Sequence, residues 1–239
     1  MIAHFDGDLL VYRAGFAAEK MHYYLVERLP NGDERGHHFQ YKKEVTAFLQ
    51  ASGLAEGSYT LEQRREPEPL ENALFNVNSM IRTALSSLSL DISDMRMYIS
   101  GKDNYRDGVA TLLPYKGNRK DTHKPVHGPK IREYLCSKYN ANVSVNEEAD
   151  DVVGYSHYAM YLEDEYSSVI VSVDKDLNMI PGLHYNFVKD ESYFVTPEEG
   201  DRFFMQQCLM GDSTDNIPGV PKIGPKRALT ALEEGDWSW

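Results

Sequence analysis

The stretch GDSTDNIPGVPKIGPKRAL, residues 211–229, has the most distinctive pattern in this chain of 239 residues. Two aspartates, Asp212 and Asp215, come first, and a turn rich in glycine and proline follows them. Glycine in a turn permits positive φ angles and the close approach of another backbone. Pro225 suits the first position of a helix, where free backbone N–H groups and the charge of Lys226 attract a phosphate. The stretch therefore predicts either a turn that grips a nucleic-acid backbone without reading its bases, or an ordinary connection between two helices.

The charges of the chain are unevenly distributed along the sequence. It has 37 acidic and 25 basic residues and a formal net charge of -12, which alone argues against a nucleic-acid partner. Between Lys102 and Lys138, however, nine Lys and Arg residues stand against four acidic ones. Lys222, Lys226 and Arg227 form a second basic cluster. We therefore expect a protein that binds a polyanion through local basic segments and holds cations at its acidic sites.

The length of the chain predicts one large domain, or one domain with a small appendage. Hydrophobic residues make up 41% of the chain, and no apolar run approaches the ~20 residues that a membrane helix needs. The N-terminus, MIAHFDGD, lacks the basic and apolar regions of a signal peptide. The two cysteines, Cys136 and Cys208, suit a reducing compartment, so we expect a cytoplasmic protein.

Short apolar segments alternate with helical ones, which predicts an α/β fold with a mainly parallel central sheet flanked by helices. The segments MIAHF, MRMYIS and SSVIVSV have the composition of strands. A hairpin is predicted around the Asn-Gly turn at 31–32, and the polar residues 52–71 are predicted to form a loop. Helices are predicted to begin at Asn146, as an N-cap, and at Thr196, which forms a capping box with Glu199.

Acidic side chains stand at the ends of three predicted elements. They are Asp6 after the first strand, Asp174 and Asp176 after the VIVSV strand, and Glu148, Asp150 and Asp151 in the first turn of a helix. Ligands of open parallel sheets collect outside the carboxyl ends of the strands, so these side chains could form one cluster. So many carboxylates need cations to remain ionised together, and oxygen ligands suit Mg²⁺ or Mn²⁺. Taken singly, each group also fits a helix cap or a solvated turn.

The stretch 211–229 resembles the helix–three-turn–helix motif of the 5′-nuclease superfamily. This superfamily includes flap endonucleases, the 5′-nuclease domains of bacterial DNA polymerases and bacteriophage 5′-3′ exonucleases. Four further segments resemble its motifs in the same order along the chain, and they are FDGDLLVYRA, PYKGNRK, EEADD and SVDKDL. The matching segments are spread over nearly the whole chain. Within the superfamily, they resemble those of the phage exonucleases most.

The resemblance implies a structure-specific 5′-3′ exonuclease or flap endonuclease that hydrolyses DNA phosphodiester bonds with two Mg²⁺ ions, for which Mn²⁺ can substitute. The implied metal ligands are Asp6, Glu148, Asp150, Asp151, Asp174, Asp176, Asp212 and Asp215. Lys116 and Arg119 are implied to contact the scissile phosphate. The implied contacts to DNA are Tyr115, Gly219, Val220, Gly224 and Lys226, with a K⁺ ion at the hairpin carbonyls.

By the same resemblance, residues 1–195 form the nuclease domain and residues 196–239 form the helix–three-turn–helix region. The basic residues 101–128 are implied to form a helical arch that admits a single-stranded 5′ end. We further expect a monomer that acts on DNA with 5′ ends or flaps, alongside replication proteins, in the cytoplasm of an infected bacterial cell.

The sequence departs from the superfamily at two places. Many relatives have a metal-binding aspartate after the second strand, where this chain has Ser100 and Gly101, with Asp103 nearby. Relatives usually continue beyond the hairpin helix, whereas this sequence stops at Trp239. It is either a short form or a fragment, and in both cases we expect a weaker grip on duplex DNA.

Three other functions are compatible with parts of the pattern. A catalytically silent protein of the same fold would bind DNA structures without cleaving them. A related acidic α/β ribonuclease would prefer RNA when DNA competes, and such domains usually lack the hairpin. A small-molecule phosphatase is disfavoured, because it would need neither the basic segment nor the hairpin.

Overall fold

A mainly parallel six-stranded sheet lies at the centre of the computed structural model, which describes residues 1–119 and 122–235. The strands are β1 (Ile2–Asp6), β2 (Glu19–Arg28), β3 (Glu34–Phe39), β4 (Tyr59–Pro67), β5 (Asp94–Ile99), β6 (Asn142–Val143), β7 (Ser168–Val171), β8 (Gly182–Asn186), β9 (Glu191–Val195), β10 (Gly211–Asp212) and β11 (Ile217–Pro218). The α-helices are α1 (Gly7–Ala17), α2 (Lys42–Ser52), α3 (Leu70–Ser87), α4 (Arg106–Val109), α5 (Gly128–Tyr139), α6 (Ala149–Tyr161), α7 (Pro197–Met210) and α8 (Pro225–Glu234). The central sheet has the order β6-β5-β1-β7-β8-β9, in which β8 and β9 are antiparallel and the other neighbours are parallel. The predicted α/β fold is thereby confirmed.

Apolar layers cover both faces of the central sheet. On one face, α1, α3 and α5 pack around Phe5, Ile81 and Ile131, which are at most 2% exposed. On the other face, α6 packs on β1 and β7, and Val153 and Ile170 belong to the core there. Because β1 and β7 are buried on both sides, they are apolar apart from His4, Asp6 and Ser168. They lie side by side and parallel, so they end at the same edge of the sheet.

The prediction of a loop at residues 52–71 is wrong, because the nine-residue strand β4 runs through the middle of that segment. Every residue of β4 pairs with β2, which also pairs with β3, so the three strands form a separate antiparallel sheet. The predicted hairpin around 31–32 is confirmed as the β2–β3 connection. Almost every residue of β4 is exposed, and a strand that is exposed on both faces has no apolar alternation for a sequence pattern to reveal.

Two helix starts test the predicted caps. Glu199 N donates to Thr196 Oγ1 at 3.2 Å, and Thr196 N donates to Glu199 Oε2 at 2.9 Å, which confirms the capping box. Asn146 is not the N-cap of α6, because its φ of 61° places it in a left-handed turn before the helix. Glu148 is the N-cap instead, and its N–H donates to Asp151 Oδ2 at 3.0 Å. Acidic groups therefore cluster at the very start of α6.

The segments predicted to bind DNA contain short elements. Residues 101–128 hold α4 and a 3₁₀ turn at Gly117–Arg119, and positions 120 and 121 of this segment lie outside the described residues. The hairpin β10–β11 connects α7 to α8, which pack against each other, and positions 236–239 also lie outside the described residues. Among the helices that the structure describes, none has the length and apolar character needed to cross a membrane.

Three histidines are buried where α6 packs on the central sheet. His4 and His157 are 0% exposed, and His184 is 2% exposed. Burial, reinforced by the charge of Arg96, lowers the pKa of His4 to about 4. Burial, reinforced by His184 and His4, lowers the pKa of His157 to about 3. These rings are neutral in the folded protein, so protonation favours the unfolded chain. Their contribution to stability is intact above pH ~6.5 and is lost as the pH falls toward the folded pKa.

We expect the His157→Gln variant to lose less stability than the wild type between about pH 7.5 and about pH 5. The amide can still donate to Pro181 O, which lies 3.1 Å from Nε2 of His157, but it takes up no proton. A histidine whose folded pKa lies below 5 costs about 2 kcal/mol of stability at pH 5. Urea unfolding at both pH values measures the difference, and titration of the carboxylates cancels because both proteins share it. An equal loss in the two proteins would contradict a neutral His157.

Candidate active site

The carboxyl ends of β1 and β7 bring predicted ligands to one edge of the sheet. Asp6 ends β1 and caps α1, since its Oδ1 accepts hydrogen bonds from Asp8 N at 3.1 Å and Leu9 N at 3.4 Å. The residue is 5% exposed. Burial raises the pKa of Asp6 well above its ordinary value, and the charges of Asp8, Asp150 and Asp174 raise it further. Carboxylates from separate elements therefore act on one another here.

The first turn of α6 supplies three more carboxylates. Burial, together with the charges of Glu148 and Asp151, raises the pKa of Asp150 to about 7. Both oxygens of Asp151 are paired with Arg106, at 2.6 Å from Nη1 to Oδ2 and 2.7 Å from Nη2 to Oδ1. Although burial acts in the opposite direction, the hydrogen bonds from Arg106 lower the pKa of Asp151. A cation of the protein thus neutralises Asp151, while Asp150 lies among like charges.

Residues 115–119, between α4 and α5, face the start of α6, and we call them the basic turn. The hydroxyl of Tyr115 lies 2.5 Å from Glu148 Oε2 and 2.9 Å from Asp215 Oδ2. Lys116 Nζ donates to Glu148 Oε1 at 2.6 Å, and Arg119 Nη2 donates to Asp215 Oδ1 at 2.7 Å. Burial and the contact with Glu148 raise the pKa of Tyr115, so its hydroxyl stays protonated. The basic turn therefore joins α6 to the connection between β10 and β11.

The aspartates after β7 continue the acidic surface toward α7. Asp174 Oδ1 accepts a hydrogen bond from Asp176 N at 2.9 Å. Burial and the charge of Asp174 raise the pKa of Asp176, whose carboxylate accepts a hydrogen bond from Gln207. Asp212 Oδ1 accepts a hydrogen bond from Thr214 N at 2.7 Å, which fixes the turn before Asp215.

An open cavity of about 620 Å³ lies between α6, α7 and the basic turn. The predicted ligands on its wall are Glu148, Asp150, Asp151, Asp176, Asp212 and Asp215. Tyr115 also lines the cavity, whereas Asp6 and Asp174 are not on its wall and act through their charge. Lys116 and Arg119 reach the cavity through the two carboxylates that they contact. Six of the eight predicted carboxylates therefore lie on the wall of one cavity.

The chemistry of these donors fits a hard divalent cation. Every predicted ligand is a carboxylate, and Mg²⁺ and Mn²⁺ prefer oxygen ligands. The raised pKa values of Asp6, Asp150 and Asp176 indicate an excess of negative charge. As they stand, no three His, Cys, Asp or Glu side chains of residues 1–119 and 122–235 form a ready-made metal-binding group. An ion would therefore draw carboxylates away from the protein's own cations, Arg106 and Lys116.

The hairpin β10–β11 depends on a close approach of two backbones. A Cβ at Gly211 would lie 2.2 Å from Gly219 N, and a Cβ at Gly219 would lie 2.1 Å from the carbonyl oxygen that ends α7. Neither position therefore accepts a larger residue. Gly224 differs, because nothing lies within 4 Å of a Cβ added there. Val220, between β11 and α8, and Lys226, in the first turn of α8, are both exposed. Gly219, Val220, Gly224 and Lys226 are not on the wall of the cavity. The close approach of the two backbones is enough to explain why position 219 is a glycine.

The backbone that follows β5 has no room for the aspartate that many relatives have after this strand. A Cβ at Gly101 would lie 2.3 Å from Ser144 O, so this backbone does not accept a side chain there. Ser100 N donates to Asp8 Oδ2 at 3.0 Å, and Arg132 Nη1 donates to Asp8 Oδ1 at 2.6 Å. The first turn of α1 thus provides a carboxylate, Asp8, at this edge, but it is paired with Arg132.

Sequence reasoning missed Arg106 and Gln207, which both touch predicted ligands. The guanidinium of Arg106 also lies 4.9 Å from the ring centroid of Tyr105 and 5.7 Å from that of Tyr115. The excess of positive charge over residues 102–138 was the signal that pointed to this region. Asp103, considered as a replacement ligand, is exposed and is not on the wall of the cavity.

Sequence comparison connects the chain to named nucleases. It is 30% identical over 184 residues to the 5′-3′ exonuclease of Buchnera aphidicola subsp. Schizaphis graminum. The alignment covers 69% of this chain and 61% of that relative, so the chain spans less than two thirds of the relative's length. No protein-family model matches the chain.

Structural comparison finds a similar fold in a bacteriophage protein. The T5 D15 protein co-crystallised with metal ions superposes with a TM-score of 0.58 at 17% identity, over 98% of this chain and 74% of that one. The bacteriophage T5 D15 flap endonuclease, in a pseudo-enzyme–product complex with DNA and metal ions, gives a TM-score of 0.52 at 20% identity. That match covers 67% of this chain and 66% of the other. At such identities the likeness shows a shared fold.

Proposed function

Because this chain belongs to the 5′-nuclease superfamily, we propose that it is a 5′-3′ nuclease that hydrolyses DNA phosphodiester bonds at 5′ ends or flaps. The observation that carries the proposal is a single cavity in which acidic side chains meet the basic turn with Lys116 and Arg119. Such a surface suits a reaction in which carboxylates hold cations and basic groups hold a phosphate. The substrate class is supported by the exonuclease relative and by the flap endonuclease solved with DNA.

We infer that two Mg²⁺ ions, or Mn²⁺ in their place, bind among the carboxylates. The residues that would hold them are Asp6, Glu148, Asp150, Asp151, Asp174, Asp176, Asp212 and Asp215. Bound there, divalent ions supply Lewis-acid stabilisation of phosphate oxygens and a water of lowered pKa as the nucleophile. Asp150 and Asp176 are the first to test, because burial and neighbouring charges raise the pKa of both.

We propose that Lys116 and Arg119 hold the scissile phosphate. Their side chains are 28% and 39% exposed, so both remain accessible to an incoming anion. In the metal-free protein, their contacts with Glu148 and Asp215 place both side chains beside the cavity. Once ions bind the carboxylates, Lys116 is free to turn toward the phosphate, and cations placed there stabilise the charge that develops on it in the transition state.

The hairpin region is proposed to bind the backbone of duplex DNA. Pro225 is the first residue of α8 and follows Gly224, so the next backbone N–H groups are available to a phosphate. Lys226 adds positive charge, Val220 adds an exposed apolar contact, and Gly219 shapes the turn. We also propose that a K⁺ ion binds at the hairpin carbonyls and that Tyr115 contacts the substrate.

Cleavage of a duplex with a labelled single-stranded 5′ flap tests the proposed function. We expect labelled fragments in Mg²⁺ and none in EDTA, and we expect a matched 3′ flap to stay intact. An RNA flap of the same sequence shows whether DNA is preferred. Equal cleavage of the 5′ and 3′ flaps, or cleavage in EDTA, would overturn the assignment.

A silent DNA-structure binder is the second candidate, and the ion pairs of the site favour it. Glu148, Asp151 and Asp215 are each paired with a basic side chain. Gly101 leaves no room for a further carboxylate. Tight binding of the 5′ flap without cleavage in Mg²⁺ or Mn²⁺ would support this candidate against the nuclease.

A further inference from the structure

The cavity has a second surface that the proposed hydrolysis does not use. Three aromatic side chains line it, Tyr155 and Tyr158 of α6 and Phe204 of α7. They are 54%, 41% and 51% exposed, respectively. Met179 and Ile180 line the same cavity and also carry no charge. We call the three rings the aromatic wall. Exposed aromatic surface in a concave site is typical of ligand binding.

Helical spacing connects the aromatic wall to the carboxylates. On α6, Tyr155 and Tyr158 follow Asp151 by four and seven residues, so the three side chains share one face of the helix. At the rise of an α-helix they stand ~6 Å and ~10.5 Å from Asp151 along the axis. On α7, Phe204 precedes Gln207 by three residues, and Gln207 contacts a carboxylate of the cavity. Each helix thus places aromatic rings one to two turns from the acidic site.

Phe204 offers a free ring face to a ligand. In the part of the chain that the structure describes, no ring or cation contact involves it. Tyr158 instead stacks on Tyr161, with ring centroids 6.0 Å apart, and Tyr155 Oη donates to Glu147 Oε1 at 3.2 Å. The two tyrosines therefore have partners within the protein, whereas the ring of Phe204 is available to a ligand.

Packing of the core does not account for these rings. Val153, a core position on the same helix as Tyr155 and Tyr158, is 0% exposed, whereas each ring of the aromatic wall is more than 40% exposed. Leaving such rings in water forgoes the stabilisation that burial gives, so a ligand that covers them is the simpler explanation.

We propose that the aromatic wall binds the nucleobase of a nucleotide next to the scissile phosphate, with the base stacked on Phe204. The inference rests on the proposed nuclease function and names the part of the substrate that this surface takes. An uncharged aromatic surface suits the flat face of a base, whereas the phosphate belongs with the basic turn. Every base has a π face, so the stacking tolerates any sequence.

Fluorescence of 2-aminopurine measures the stacking in EDTA, where binding does not depend on cleavage. The fluorescent base is placed in turn at each position across the junction of a 5′-flap duplex. We expect quenching at one position by the wild type and by Phe204→Trp, and loss of that quenching in Phe204→Ala. In Mg²⁺, Phe204→Ala is expected to lower kcat/KM about 10-fold. Phe75→Ala is the matched control, because Phe75 is 69% exposed on α3 and does not line the cavity.

An abasic substitution separates stacking from a structural effect. Removal of the base at the quenched position should slow the wild type about 10-fold and should not slow Phe204→Ala further, because the same contact is already lost. Equal slowing of both proteins, or unchanged quenching in Phe204→Ala, would overturn the proposal. Quenching by a wild type that cannot cleave would refute the nuclease function and leave the stacking intact. Cleavage without quenching at any position would refute the stacking alone.

Discussion

Changing Asp150 to asparagine is expected to lower the cleavage rate at least ~1,000-fold and to raise the melting temperature of the metal-free protein. Asparagine keeps the shape of the side chain and removes its charge, so a metal ligand is lost without a cavity. The substitution also removes a carboxylate whose pKa burial and the charges of Glu148 and Asp151 raise to about 7. Relief of such repulsion stabilises the fold at the expense of function. Flap cleavage and thermal melts in EDTA measure the two effects.

Asp103→Asn is the matched control for this prediction. It makes the same chemical change at an exposed aspartate that is not on the wall of the cavity. We expect wild-type cleavage and an unchanged melting temperature. Mg²⁺ should raise the melting temperature of the wild type and the control but not of Asp150→Asn, because a ligand of the folded state adds stability. An equal Mg²⁺ effect on all three proteins would contradict a metal site at Asp150.

Lys116→Ala is expected to lower kcat ~100- to 1,000-fold with a smaller change in KM. Lys116 Nζ lies 2.6 Å from Glu148 Oε1, at the point where the basic turn meets the cavity. We expect its charge to act on the phosphate as negative charge develops, so its loss affects the transition state more than binding. Single-turnover cleavage at a saturating flap concentration measures the chemical step.

Two variants control for the general attraction between a basic segment and DNA. Lys102→Ala removes an exposed lysine from the same segment and should change cleavage little. Lys116→Arg keeps the charge and should retain part of the activity. If Lys116→Ala changed only KM, and Lys102→Ala matched it, then Lys116 would serve DNA attraction and not the chemical step.

The carboxylates at strand ends were the most predictable part of the site. β1 and β7 are buried on both faces, so their mainly apolar segments stand out in the sequence. Asp6 is the last residue of β1, and Asp174 comes three residues after the end of β7. Parallel neighbours end at one edge, which is enough to expect these side chains to meet. The pKa of Asp6, raised first by burial and also by the charge of Asp174, agrees with that expectation.

The partners of these carboxylates could not be predicted from the sequence. Arg106 and Asp151 are 45 residues apart, and Arg119 and Asp215 are 96 residues apart. Such pairs depend on where the turns lie in three dimensions, for which local spacing gives no signal. The exposure of Phe204 on α7 could not be predicted either, because the helical spacing of this apolar residue also fits a core-facing position. Its exposure appears only once α6 and α7 are placed beside the cavity.

Anomalous scattering from crystals of the protein soaked in Mn²⁺ tests the central claim most directly, because it locates the ions themselves. The claim is that the carboxylates of this cavity hold the divalent ions used for hydrolysis. We predict two Mn²⁺ peaks ~2.2 Å from carboxylate oxygens, with Asp150 and Asp176 among the ligands and Lys116 released from Glu148. Saturating Mn²⁺ that leaves no peak at these carboxylates, with the Arg106–Asp151 and Lys116–Glu148 pairs intact, would contradict the claim.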